Sequence, residues 1–222
     1  MSVCLVASAA GLVGASAASL NGANPAKIGG WNYPVSNIAP TVLTWDDFNG
    51  ANNTNLNGTT LNGGGTWSAD IGTWRIQSNS ANASNTALAN LVTHVGTQNA
   101  TAIVTLVTGA TSNSGLLAND NGTNALFVLY TKTSGGTLTL YKYAGSSIAL
   151  GSVTGVGSAA SATLKLDSTT TTIKVSWNGT QVLSYTLTAA EAVTFHSAGN
   201  NGFGIIANGD SASRFDDFHI DQ

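Results

Sequence analysis

Charge is what this chain has least of. Of its 222 residues only 8% are Asp, Glu, Lys or Arg, ten acidic and seven basic, for a formal net charge of −3 at pH 7. The seven cations stand singly along the sequence, so no basic field forms to gather phosphates, and nucleic acid is not an expected partner. Cysteine is represented by Cys4 alone, which excludes a disulfide within one chain. Cys4 is expected to be a small hydrophobe, or else a cross-link between two copies. A sandwich of this size buries enough surface to need no staple. Glutamate also occurs once, as Glu191, and between residues 71 and 166 the sole acid is Asp120, in Asn119-Asp120-Asn121-Gly122, which reads as a loop. There is no zinc-type ligand spacing and no phosphate-binding glycine loop, and His94, His196 and His219 fall on separate segments. Uninterrupted apolar runs are missing too. Residues 1–20 are small and apolar but broken by four serines and two glycines, so no membrane span is expected.

What the chain does have is hydrophobic residues (42%) set among Thr, Ser, Asn and 26 Gly, in short alternating stretches. Residues 73–78 alternate as a half-buried strand does, whereas 101–107 and 126–130 are more continuously apolar and read as central strands. Further strands are expected over 138–143, 172–177, 180–185, 202–206 and 215–220. Asn178-Gly179 between two of them is the strongest short hairpin signal, because both residues tolerate the positive φ of a type I′ turn. One helical turn is expected, at 188–192. No repeat of fixed period is present, which argues against a solenoid or propeller. The expected fold class is all-β, a sandwich over residues 41–222 preceded by an extended N-terminal arm, 1–40.

The sandwich opens with Thr44-Trp45-Asp46-Asp47-Phe48-Asn49-Gly50 and closes with Arg214-Phe215-Asp216-Asp217-Phe218-His219-Ile220. Two matching acidic-aromatic strands at opposite ends of an all-β chain suggest that the first and last strands meet. The pattern resembles the concanavalin A-like lectin/glucanase superfamily, the laminin-G-like jelly rolls. Its opening is similar to that of the laminarinase-type glucanases, whose catalytic carboxylates lie in a mid-chain Glu-x-Asp-x-x-Glu strand. That motif is absent here, so the resemblance implies the fold without the family's hydrolysis, and no catalytic residue is expected. It also implies a structural calcium, with Asp47 and Asp216 at the matching metal positions. Calcium takes carboxylate and carbonyl oxygens, which strand ends can supply. For sugar contacts the sequence offers Tyr141 and Tyr143 on one strand face and Trp67 and Trp177 near turns, but it singles out no carbohydrate-binding residue.

Openings of this kind followed by a Gly-x-Trp-x-Ile stretch, here Gly72-Thr73-Trp74-Arg75-Ile76, resemble the non-catalytic jelly rolls of tailed-phage virion proteins. The resemblance implies a structural protein on the virion surface, a capsid decoration, head fibre or tail module, joined to capsid or tail proteins as a homo-oligomer and displaying a lectin-like domain toward host-surface glycan. The arm would anchor it through Leu5, Val6, Leu12, Val13, Trp31 and Tyr33. It lacks the positively charged start of a secretion signal. Two alternatives stand beside this reading: a secreted or cell-surface carbohydrate-binding module, and a divergent polysaccharide-active enzyme.

Overall fold

The structure, a computed structural model, describes residues 40–84, 87–109, 113–133 and 135–222, and the backbone of 25–28 and 31–34. The chain divides into two units, Met1–Pro40 and Thr41–Gln222. In the first, β1 (Pro25–Ile28) pairs antiparallel with β2 (Trp31–Pro34), Ala26 opposite Tyr33 and Ile28 opposite Trp31. The other expected anchors, Leu5, Val6, Leu12 and Val13, lie outside the described residues, as does Cys4.

The second unit runs β3 (Val42–Asp46), β4 (Ser68–Ile71), β5 (Trp74–Ile76), β6 (Ala81–Ala83), β7 (Leu88–His94), β8 (Ala100–Val107), β9 (Asn113–Asp120) and β10 (Asn124–Thr131). It continues with β11 (Thr137–Ala144), β12 (Ser147–Thr154), β13 (Ser161–Ser168), β14 (Thr172–Trp177), β15 (Thr180–Thr186), helix α1 (Ala189–Phe195), β16 (Gly202–Asn208) and β17 (Arg214–Asp221). One sheet is ordered β12-β11-β10-β9-β16-β7-β4 and the other β15-β14-β13-β8-β17-β6-β5, with β3 also on β17. All pairings are antiparallel. Each sheet turns one face to a shared core, and that burial is the main driving force for the fold.

The first and last strands of this unit do meet, with Thr44, Trp45 and Asp46 opposite Ile220, His219 and Phe218. The aromatics of the two motifs fill one corner of the core. Trp67 stacks on Phe48 with ring centroids 6.0 Å apart and tilts against Phe218 at 5.0 Å. Asp46 fastens this corner: its Oδ2 accepts from Trp67 Nε1 at 2.7 Å and its Oδ1 from the Phe48 amide at 2.8 Å. Trp177, stacked on Tyr130 at 4.6 Å, is likewise core, so neither tryptophan offers a face to a sugar.

The Asn178-Gly179 turn has φ of 49° and 79° at its two residues, both left-handed as a type I′ hairpin requires, and it joins β14 to β15. The helical turn is longer than the sequence signals, because Phe195 buries itself in the core and carries the helix to a second turn. Thr188 caps it, and Glu191 completes a capping box by accepting from the Thr188 amide at 2.9 Å. Glu191 also accepts from Lys142 Nζ at 2.6 Å and from the Tyr185 hydroxyl at 3.1 Å. Burial alone would raise its pKa; the bonds from Lys142, Thr188 and Tyr185 outweigh it and bring the value to about 2. The only glutamate thus fastens the helix and is ionised at neutral pH.

Candidate functional site

The informative part of the molecule is the outer face of the seven-stranded sheet. In β10, Leu126, Val128 and Tyr130 face the core, while Ala125, Phe127 and Leu129 form a second apolar cluster on the other side with Leu117, Val92 and Ile206. This is why residues 126–130 read as continuously apolar: the strand is covered on both faces. Phe127 and Tyr141 of β11 stack at 5.0 Å with an interplanar angle of 13°. Over Phe127 opens a cleft of about 510 Å³, whose apolar floor also includes Leu117, Leu129 and Ile206 and whose polar rim includes Asp70, Asn90, Asp120 and Asn208. Tyr143 stands at its edge, 38% exposed. That volume is in the range of small-molecule sites.

Asp120 reaches this cleft through a backbone irregularity. The sequence places it in a loop, but it ends β9, and the correction has a local cause. Gly204 pairs with Leu117 while Gly202 pairs with Asp120, so β9 carries one extra residue there. Asn119 takes the strain with φ 54°, a conformation that Asn tolerates better than most residues. The bulge turns the Asn119 side chain inward, where Nδ2 donates to the Gln98 carbonyl at 2.9 Å and to the Asn200 carbonyl at 3.2 Å. Its Oδ1 accepts from Ser168 at the end of β13, tying the two sheets together. Asp120 is thereby carried to the outer face, although only 5% of it is exposed.

Burial raises the Asp120 pKa to about 6, against the lowering pull of the Gly122 amide; the nearby Asp70 carboxyl raises it further, and His94 lowers it slightly. Asp70 also accepts from Ser68 Oγ at 2.6 Å, and His94 Nδ1 lies 2.8 Å from Asn201 Oδ1. Asn90 presents its Oδ1, fully shielded from solvent, with no hydrogen-bond partner. Among the described residues no Lys or Arg lines the cleft.

The acids expected to bind calcium stand elsewhere, at the β3–β17 junction. Asp47 and Asp216 are near enough that the charge of Asp47 helps to raise the Asp216 pKa, after burial and the neighbouring Asp217. Each also closes a local turn, Asp47 Oδ1 accepting from the Asn49 amide at 3.3 Å and Asp216 Oδ1 from the Asp217 amide at 3.0 Å. Among the described residues no group of three or more His, Cys, Asp or Glu is placed to hold a metal. The remaining histidines are apart: His196 Nε2 lies 3.3 Å from Ser168 Oγ inside the sandwich, and His219 lies 3.8 Å from Asp221. Among the described residues no helix is long and apolar enough to cross a membrane.

No protein-family model matches the chain, and no curated protein matches it in sequence. Solved structures do. A carbohydrate binding module, CBM66 from Bacillus subtilis, is similar over 70% of this chain and 95% of its own, at 11% identity and a TM-score of 0.57. SCLam, a non-specific endo-beta-1,3(4)-glucanase from family GH16, matches 90% of this chain and 95% of its own at 9% identity and a TM-score of 0.54. LamAcat from Zobellia galactanivorans matches 82% of this chain and 98% of its own at 10% identity and a TM-score of 0.52. The fold is a concanavalin A-like jelly roll. At such identities the likeness reaches no further than the fold.

Proposed function

We propose that the second unit is a non-catalytic glycan-binding domain and that its binding surface is the cleft on the outer face of the seven-stranded sheet. The cleft carries this reading. Sugar rings present apolar CH faces, which pack on aromatic and aliphatic side chains, and hydroxyls, which need amide and carboxylate partners; floor and rim supply both. A carbohydrate binding module and glucanases among the proteins of the same fold support it. In affinity electrophoresis through a panel of soluble polysaccharides, neutral and aminated, the protein is expected to be retarded by at least one. Tyr143→Ala, which removes an exposed ring, should weaken that interaction about three- to tenfold. No retardation on any glycan, or equal retardation of wild type and variant, would remove the cleft from consideration.

The absence of catalysis is part of the proposal. A retaining glycosidase sets its two carboxyls about 5 Å apart with the scissile bond between them. Asp70 and Asp120 instead lie together on one rim of the cleft, the charge of Asp70 helping to raise the Asp120 pKa, and among the described lining residues no further carboxyl faces them across it. The retarded polysaccharide should therefore yield no new reducing ends.

We also propose, on the resemblance of the opening and closing strands, that calcium binds at Asp47 and Asp216. Their oxygens suit a hard cation, and backbone carbonyls or water would have to complete the shell. A cation bound only by the folded protein stabilises it. Chelator should lower the melting temperature of wild type and leave that of Asp47→Ala/Asp216→Ala unchanged; identical wild-type curves with and without chelator would refute the site. The setting implied by the same resemblance is a virion surface, and mass spectrometry of purified particles lacking this chain would rule it out.

A further inference from the structure

The cleft is chemically one-sided. The polar rim of its apolar floor includes Asp70, Asp120 and Asn90, whose Oδ1 has no hydrogen-bond partner, and among the described residues no lysine or arginine lines it. Neutral sugar hydroxyls both donate and accept, so a site built for them mixes the two kinds of group. Here Asn208, Ser147 and Tyr143 supply neutral donors, but among the described residues no cation offsets the two carboxyls. A buried carboxylate facing a second carboxylate is costly unless a cation enters. A primary ammonium answers that need with a positive charge and three N–H donors.

Resting on the reading of the cleft as a glycan site, we propose that its ligand is an amino sugar with free ammonium groups, held with its amine at Asp70, Asp120 and Asn90 and its ring over Phe127 and Leu129. An acetylated amine loses the charge and two of the donors, so the site discriminates between free and acetylated forms. A metal ion is the weaker candidate, because two carboxylates and one amide oxygen leave most of a coordination shell to water. The site is also sensitive to pH. The titratable groups facing Asp120 are Asp70 on β4 and His94 on β7, and Tyr143 stands at the edge of the cleft. Asp120 titrates near pH 6. Ammonium binding should therefore strengthen as pH rises from 5 to 7 and Asp120 ionises.

Calorimetric titration with a β-1,4-linked glucosamine tetrasaccharide, with its N-acetylated counterpart and with a neutral β-glucan tetrasaccharide tests this. The free-amine oligomer is expected to bind at least tenfold more tightly than the other two at pH 7, the scale of a charge-assisted contact. Asp120→Asn and Asp70→Asn, both nearly isosteric, should each cut that preference about tenfold. The pH dependence should disappear in Asp120→Asn. Circular dichroism and thermal melts of both variants establish that they are folded. Equal affinity for all three oligomers, weakened by Tyr143→Ala, would overturn the amine assignment and leave glycan binding standing. Binding of none of them, together with no retardation on the polysaccharide panel, would overturn both.

Discussion

Replacing Gly115 with alanine is expected to cost about 3 kcal/mol of stability, the upper end of what overpacking costs. Gly115 lies in β9 between Leu129 of β10 and Ile206 of β16. A Cβ built there would sit 1.8 Å from the Val128 carbonyl oxygen and 2.8 Å from its carbon, both backbone atoms in the middle of the sheet. A flexible side chain could move aside, but a paired strand cannot move without losing its ladder. Gly145, in the turn between β11 and β12, makes the control. Its φ is 79° and a Cβ would meet nothing within 4 Å, so Gly145→Ala carries only the left-handed backbone cost, about 1 kcal/mol. Urea melts followed by tryptophan fluorescence separate the two. Equal losses would mean that strands β9 and β10 do not approach as described.

Asp120→Asn should act in the opposite direction and stabilise the protein. Burial pushes the carboxyl up to a pKa of about 6 in the folded state from an ordinary value of 3.8, so folding favours its protonated form. For an acid shifted upward, the penalty is absent below the unfolded value, grows as pH passes from about 4 to 6, and is fully present above that. Allowing for partial solvent screening, removing the charge should gain on the order of 1–2 kcal/mol at pH 8 and little at pH 4. A variant less stable than wild type at pH 8 would show that the carboxylate is a structural partner. A destabilising ionisable group on a cleft wall is the pattern expected where binding has set the residue.

Strand positions were legible because alternation and continuity of apolar residues report burial directly. Residues 126–130 announced a central strand, and Asn178-Gly179 announced its turn, since each signal is local. The pairing of β3 with β17 was legible from the matched motifs. The cleft was not. Asn119-Asp120-Asn121-Gly122 has the composition of a turn, and nothing in it reveals that Asn119 takes a left-handed φ inside a strand and sends Asp120 to the outer face. Asp70 lies 50 positions away in sequence, and only the sheet order brings the two carboxyls together. The one available hint was that Asp120 is the lone acid between residues 71 and 166. Trp67 and Trp177 misled for the converse reason, since proximity to a turn says little about burial when loops fold over the sandwich edge. Tyr141 and Tyr143 were correctly placed on one face, and the ring stacked on Tyr141 comes from Phe127, which the sequence had assigned simply to a central strand.

The clasp between β3 and β17 bears on how the domain forms. Thr41 and Gln222 exchange two backbone hydrogen bonds at 2.9 Å, and Trp67 needs Phe218 to complete its aromatic corner. Contacts between opposite ends of a domain must close the largest loop in it, and such topologies fold slowly. A nascent chain leaving the ribosome can pair β9 with β10 or β14 with β15 as soon as each hairpin emerges. It cannot shield Trp67 with Phe218, or place β17 between β8 and β3, until the final strand has been made. The closing strand β17 therefore controls when the sandwich forms.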